Sequence, residues 1–442
     1  MHPSTASRVH LATALRAAIR RPLAMLVLVG LLGCGAPREE GTILTVSGSA
    51  LGAEGQLLTR QIERFMQENA GVRVRIQRTP DDATQRRQLY VQWLNARVGT
   101  PDILQLDVVW TPEFAAAGWI LPLDRFGPER EDFFPATLEA NSWQGRLFAL
   151  PWFVDVGMLY WRSDLMDAPP ATMEELVTLA QRGMAAEGGA ARGVVWQGAR
   201  YEGLVTVFVE YLGGFGGEIL TEESRVAVDS PEAVRALTFM RDQIAAHRIA
   251  PREVLTWHEE ETRFAFQNGT AVFMRNWPYA YALLSQEGES RVAGRFGIAP
   301  MPAAPGGEPT ATLGGAQLAI NAHSRHPEEA YRLIAYLTAP EQMLERAEVV
   351  GQYPARRSVF ADPRLAAALA APPSEVQRIV ESATPRPVSP IYTQISEILQ
   401  IHLHRALVGQ SEPEAALQAA AREMERVIER TRLRELARSG GM

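Results

Sequence analysis

The 442-residue chain contains no lysine, one cysteine and no apolar run as long as a membrane-spanning helix. With a single cysteine, no disulfide can form within the chain, so its stability must come from buried apolar side chains; 46% of the residues are hydrophobic. All 44 basic residues are arginine, and 51 acidic residues give a net charge of −7. This acidic balance argues against a nucleic-acid partner, because such binding depends on neutralising phosphates.

The first 33 residues are typical of a secretory signal segment. They contain four arginines and then an apolar run over 23–33, which is shorter than the roughly 20 residues that span a bilayer. The run ends in Leu31-Leu32-Gly33-Cys34, which resembles the bacterial lipobox. A free cysteine is commonly a buried small hydrophobe, but this position favours lipidation of Cys34. We therefore expect a signal peptide over 1–33, a lipidated tether over 34–41, and export to the periplasm or the outer face of the cell membrane.

The region after the tether alternates between strand and helix patterns. In chain order, the segments are a strand at 42–46, a helix around 58–65, a strand at 72–76, a helix around 89–94 and a strand at 102–109. Strands separated by helices pair in parallel through right-handed crossovers, and ligands bind beyond the carboxyl ends of such strands. Since a chain of this length exceeds what one core serves, we expect two α/β lobes.

Six segments resemble family 1 extracellular solute-binding proteins of ABC sugar importers, and among them the trehalose/maltose-binding branch. In chain order they are PWFVDVGMLYWR (151–162), WQGARYEGL (196–204), RNWPY (275–279), LGG (313–315), YPAR (353–356) and PRPVSP (385–390). The resemblance implies a periplasmic-binding-protein type II fold, in which two α/β lobes joined by a hinge enclose the ligand cleft. It places lobe 1 at 42–152 with 303–350, and lobe 2 at 153–302 with 351–442.

The resemblance also implies a sugar site, with each residue transferred from a matching position. These residues are the carboxylates Glu54, Asp107 and Asp155, the arginines Arg86 and Arg356, the stacking tryptophan Trp277, and the backbone of Gly315. If the match to the family is displaced by one position, Arg87 and not Arg86 is the arginine of the site. The hinge is expected near 151–156 and 300–303.

The same residue types suit a neutral sugar on chemical grounds alone. Ionised carboxylates accept hydrogen bonds from hydroxyl groups, and an arginine donates to the hydroxyl oxygens; bonds to charged groups are the stronger ones. An indole face covers the apolar side of a pyranose ring, and buried apolar area contributes about 25 cal/mol per Å².

Each of these residues also has an ordinary structural explanation. Asp155 alternatively caps a turn, and Trp277 alternatively belongs to a core. Glu54 is also an acid at a helix N-terminus, favoured by the helix dipole, and Arg86 alternatively lies on a solvated helix face. Asp107 is different, because a carboxylate within an apolar run must be paired or bound to a ligand.

Two positions depart from the pattern of the trehalose/maltose-binding branch. Phe153 stands where tyrosine is common, which removes one hydroxyl group. Ala316 stands where a tryptophan would stack on the second sugar ring. The sequence therefore leaves open trehalose or maltose itself, a bulkier or different disaccharide, and a looser site for several sugars.

The expected partners are a small neutral sugar of disaccharide size and the permease subunits of an ABC importer, with the protein acting as a monomer. The eight histidines form no ligand set, so we expect no metal and no cofactor. Two alternatives remain at this point. One is a glycoside-processing enzyme that uses two of the carboxylates, and the other is a lipoprotein that presents a sugar to a membrane receptor.

Overall fold

The computed structural model describes residues 41–48, 52–80, 83–189, 191–221, 223–369, 373–381 and 383–431. The predicted signal peptide and Cys34 lie outside the described residues. The strands are β1 (Thr42–Gly48), β2 (Val72–Arg78), β3 (Ile103–Asp107), β4 (Ser142–Trp143), β5 (Arg146–Leu147), β6 (Ala149–Val156), β7 (Met158–Arg162), β8 (Arg192–Val195), β9 (Ala271–Asn276), β10 (Phe296–Ala299), β11 (Ala311–Ile320) and β12 (Ala383–Thr384).

The α-helices connect these strands and cover the faces of the sheets. They are α1 (Gly52–Glu68), α2 (Ala83–Asn95), α3 (Thr111–Ala116), α4 (Pro135–Ala140), α5 (Met173–Ala186), α6 (Glu202–Gly214), α7 (Pro231–Ala245), α8 (Glu259–Gln267), α9 (Tyr279–Leu284), α10 (Pro327–Leu337), α11 (Pro340–Val350), α12 (Pro363–Ala368), α13 (Pro373–Glu381), α14 (Tyr392–Leu407) and α15 (Pro413–Arg430).

The first sheet has the strand order β12-β11-β3-β1-β2, and β6 also pairs with β11. β1 is parallel to both β2 and β3, as the alternating pattern predicted, because the helices α1 and α2 return the chain to the same edge. β11 is antiparallel to β3 and to β6. Among the helices, α1 and α10 pack with this sheet, and α11 packs with both of them.

The second sheet has the order β10-β7-β9-β8. β8 is parallel to β9, whereas β7 runs antiparallel to β9 and to β10. The helices α6, α7, α14 and α15 form a mutually packed group beside it. The α/β fold class predicted from the sequence is therefore confirmed.

The chain passes between the two sheets at two places. β6 of the first sheet is followed by β7 of the second, with one residue, Gly157, between them. β10 of the second sheet is followed by β11, which returns to the first. The lobe boundaries stay a prediction; α12 and α13, assigned to lobe 2 from the sequence, contact α11 and the β6–β11 pair respectively.

Candidate functional site

Three neighbouring strands of the first sheet align predicted site residues side by side. Asp107 ends β3 and lies opposite Ala316 of β11, while Asp155 of β6 lies opposite Gly314 of β11. Gly315, between them, lies opposite Val154. The pairing of β3, β11 and β6 therefore brings Asp107, Asp155 and Gly315 together at one end of these three strands.

Gly315 has a φ of 110°, which side chains disfavour, and a β-carbon there would clash with the carbonyl oxygen of Phe153. The pairing of β11 with β6 shifts register just beyond it, between Ala316 and Gln317. Glycine is thus needed for the close approach of β11 to β6.

Trp277 follows β9 of the second sheet and reaches the same place. A β-carbon at Gly314 would lie 3.2 Å from the Trp277 ring and 3.3 Å from the β-carbon of Asp155. The Trp277 Nε1 atom donates to Glu259 at 3.4 Å, and the guanidinium of Arg275 lies 3.9 Å from the ring centroid. This partly buried indole therefore borders the carboxylates rather than belonging to a lobe core.

Glu54 lies in the first turn of α1 and pairs with an arginine that the sequence prediction missed. Its Oε1 atom accepts from Arg346 Nη2 at 3.1 Å and from Gln352 Nε2 at 3.4 Å. The Arg346 side chain is fully buried, 4.0 Å above the Trp152 ring. A signal was available, because Arg346 follows Gln342 and Met343 at helical spacing on the buried face of α11.

Asp155 lies at the electrostatic centre of this group. Burial, and after it the carboxylates of Glu54 and Asp107, raise its pKa to about 7, against the opposing effect of Arg346 and Arg275. Burial also lowers the pKa of Arg346 to about 10, which still leaves this guanidinium charged at neutral pH. Glu54, Asp107 and Asp155 therefore share one region, and their role in sugar binding stays a prediction.

Arg386 is a second arginine that the prediction missed, although its segment had been singled out. Its Nη2 atom lies 3.5 Å from Asp107 Oδ1 and donates to the carbonyl of Leu313 at 3.3 Å. Its Nη1 atom lies 2.5 Å from Glu202 at the start of α6, which also accepts from Tyr392 at 2.6 Å. Arg386 thus connects the end of β3 with α6.

The two adjacent arginines of α2 point to different partners. Arg86 is 8% exposed, donates to the carbonyl of Pro80 at 3.0 Å, and stacks 5.5 Å from the ring centroid of Trp110. Arg87 pairs with Glu113, with 3.0 Å between Nε and Oε2. Arg86 is therefore not on a solvated face, and the choice between Arg86 and Arg87 as the sugar contact stays a prediction.

Arg356 has a different set of partners. Its Nε atom donates to the carbonyl of Thr338 at 2.7 Å, its Nη1 atom lies 3.4 Å from Asp132, and the guanidinium stacks on Phe133 at 4.2 Å. Within the described chain, none of its hydrogen bonds or ion pairs joins the other predicted site residues. The same YPAR segment instead contributes Tyr353, whose pKa is raised by burial and then by the Asp155 carboxylate.

Several buried polar atoms of this cluster have no hydrogen-bond partner among the described residues. They are Asp155 Oδ1, Arg346 Nε and Nη1, Trp152 Nε1, Tyr353 Oη and Arg386 Nε. Buried donors and acceptors without partners are costly, and native structures keep few of them. A cluster of both donors and acceptors fits a ligand that has many hydroxyl groups.

Among the described residues, no group of three or more His, Cys, Asp or Glu side chains is arranged to hold a metal ion. In the same part of the chain, no helix combines the length and the apolar character needed to cross a bilayer.

Comparison with known proteins agrees with this architecture. The family model of bacterial extracellular solute-binding proteins matches residues 49–344. A probable ABC transporter-binding protein of Deinococcus radiodurans is 36% identical over 374 residues, covering 81% of this chain and 88% of that one. The maltose-bound structure of T. maritima MalE3 is 43% identical with a TM-score of 0.81, covering 88% of this chain and 100% of that one.

A solute-binding protein from Thermotoga lettingae, bound with alpha-D-tagatose, is 26% identical with a TM-score of 0.78, and the match covers 88% of this chain and 100% of that one. The matched family consists of binding proteins and not of enzymes, so the glycoside-processing alternative is set aside. The chain belongs to the family of bacterial extracellular solute-binding proteins.

Proposed function

We propose that this protein is the sugar-binding component of an ABC importer and that it captures a small neutral saccharide of disaccharide size for the permease. The observation that carries the proposal is the cluster of unpartnered donors and acceptors around Asp155, bordered by the Trp277 indole. The maltose-bound relative, at 43% identity over 88% of this chain, supports a sugar as the ligand.

The side chains of the site make different kinds of contact with a sugar. Carboxylates such as Asp107 and Asp155 accept from sugar hydroxyls, while Arg386 holds the Asp107 carboxylate in place. The indole of Trp277 covers an apolar ring face. Several such contacts together give micromolar affinity, near −8 kcal/mol, which is tight enough for capture and weak enough for release.

Ala316 and Phe153 are the two positions at which this site differs from the pattern of the trehalose/maltose-binding branch. Ala316 is 5% exposed, so a methyl group lies beside Asp107 where an indole would cover a second ring. Phe153 packs its ring 5.2 Å from the Arg346 guanidinium and offers no hydroxyl group. We infer that affinity comes mainly from the first ring, and that the second position tolerates more than one sugar.

The experiment is isothermal titration calorimetry of the mature protein with trehalose, maltose, maltotriose and glucose. We expect at least one di- or trisaccharide to bind with micromolar affinity, and Trp277→Ala to weaken it about tenfold because stacking contributes about 0.5–1.5 kcal/mol beyond area burial. Trp257→Ala is the matched control, since Trp257 is also a partly buried indole beside an arginine, Arg192 at 5.4 Å. Absence of binding by every sugar would refute the proposal.

We also propose that the mature protein is attached to the cell surface through a lipid on Cys34 and that it acts as a monomer. Incorporation of labelled palmitate into the wild-type protein, and its loss in Cys34→Ser, would test the anchor. Labelled protein in the Cys34→Ser variant would contradict it. Light scattering of the soluble mature domain gives the oligomeric state.

A further inference from the structure

A fully buried ion pair lies directly behind the Trp277 indole. Glu210 of α6 and Arg275 of β9 have no exposed side-chain surface. Arg275 Nε donates to Glu210 Oε2 at 2.8 Å, Nη2 donates to Oε1, and Nη1 donates to Gln197 at 3.2 Å. A buried pair costs much desolvation energy and is often no more stable than apolar residues in its place. Stability alone therefore does not explain the presence of this pair.

The pair contacts the stacking surface of the proposed site. The Arg275 guanidinium carbon lies 3.9 Å from the centroid of the Trp277 ring, so it covers one face of the indole. The Trp277 backbone N–H donates to Asn276 Oδ1 at 2.8 Å, and its Nε1 atom donates to Glu259. Arg275, stacked on one face of the ring, and Glu259, which accepts from Nε1, thus fix the orientation of the indole.

The same pair contacts the strands that join the two sheets. Glu210 Oε1 accepts from the backbone N–H of Thr312, in β11, at 3.4 Å, and the Thr312 carbonyl accepts from Gly157 at 3.3 Å. A β-carbon on Gly157 would overlap both Glu210 Oε1 and Arg275 Nη2. The pair therefore fills space that only a glycine between β6 and β7 leaves available.

We propose that Glu210 and Arg275 are positioning residues for sugar binding, which fix the plane of Trp277 relative to the crossing strands β6–β7 and β11. The inference rests on the proposed function, because it assigns a role in sugar binding to residues that do not contact the sugar. A purely structural pair would stabilise the fold without affecting Trp277.

The test replaces the pair by apolar residues of similar size, in the double variant Glu210→Leu/Arg275→Met, so that no unpaired charge is left buried. The first measurement is acrylamide quenching of tryptophan fluorescence without ligand. The contribution of Trp277 is the difference between each protein and the same protein carrying Trp277→Phe. The second is the cost of Trp277→Ala in maltose affinity, measured in both backgrounds as a double-mutant cycle. Arg192→Met is the matched control, because Arg192 lies beside the indole of Trp257 and outside the site.

We expect Trp277 quenching to rise about twofold in the double variant, and the cost of Trp277→Ala to fall from about tenfold to below about threefold, with no change in Arg192→Met. Unchanged quenching and an unchanged tenfold cost would overturn the inference. If the double variant does not fold, Arg275→Lys, which keeps the charge and loses the planar fork, is measured in the same way. If the wild type binds no sugar, the proposed function fails and the quenching experiment alone decides on the positioning role.

Discussion

Asp155 lies where three carboxyl groups and two guanidinium groups meet, and its protonation changes between folded and unfolded chains. Its pKa is about 7 in the fold and 3.8 when unfolded, so between these values the folded state binds more protons. This contribution to stability is complete below about pH 4, decreases as the pH rises to about 7, and does not change further above it.

We therefore expect the free energy of unfolding of the sugar-free wild type to fall, relative to Asp155→Asn, between pH 4 and 7. The slope of that difference is at most about 1.4 kcal/mol per pH unit. Urea titrations at several pH values measure it. Asp167→Asn, at an exposed aspartate, is the control and should run parallel to wild type. Parallel curves for Asp155→Asn as well would show that Asp155 does not titrate in this range.

Gly315 lies where β11 approaches β6 too closely for a side chain. Gly315→Ala should lower the free energy of unfolding by more than about 2 kcal/mol, because it adds a clash with the Phe153 carbonyl to the strain of a positive φ. Gly118→Ala is the matched control: its φ is 70°, but a β-carbon there meets nothing within 4 Å. Thermal unfolding of both variants separates the clash from the strain. Equal losses would mean that β11 moves away from β6 at little cost.

At the scale of the element, the helix α7 follows from its sequence. Serine followed by proline is typical of a helix start, and Ser230 Oγ accepts from the Ala233 N–H at 3.3 Å, with Pro231 as the first helical residue. Ser230→Ala should cost about 1 kcal/mol of unfolding free energy. Denaturant unfolding checks this, and calorimetry should find the same sugar affinity as wild type, because α7 lies outside the site. An unchanged unfolding midpoint would show that water replaces the cap without loss.

Local patterns predicted the elements and the residues at strand ends, and they could not predict partners distant in sequence. Asp107 was identifiable because a carboxylate within an apolar run needs a partner, whereas Asp155 was identified only through the resemblance. Helical spacing indicates that Arg346 is buried, but the roles of Arg346 and Arg386 depend on contacts with Glu54 and Asp107 that are made only after folding. Arg356 was predicted from its motif, yet its guanidinium is engaged by Thr338, Asp132 and Phe133.

For the whole molecule, relative movement of the sheets must bend the chain at the two passages between them and also between β12 and α14, which returns to the helices beside the second sheet. A ligand that contacts both β3–β11–β6 and Trp277 stabilises the arrangement that closes around it, in proportion to its better contacts there. Small-angle scattering of the mature protein with saturating sugar should give a smaller radius of gyration than without it. Trp277→Ala, at the same sugar concentration, should show less compaction. An identical radius with and without bound sugar would rule out closure.

The first sheet ends at β2, an edge strand whose exposed side chains include Arg73, Arg75 and Arg78. Positive charges on an edge disfavour the addition of a strand from another chain, because two such edges repel each other. Where many copies crowd together, we therefore expect these arginines to lower the tendency of the outermost strand to aggregate.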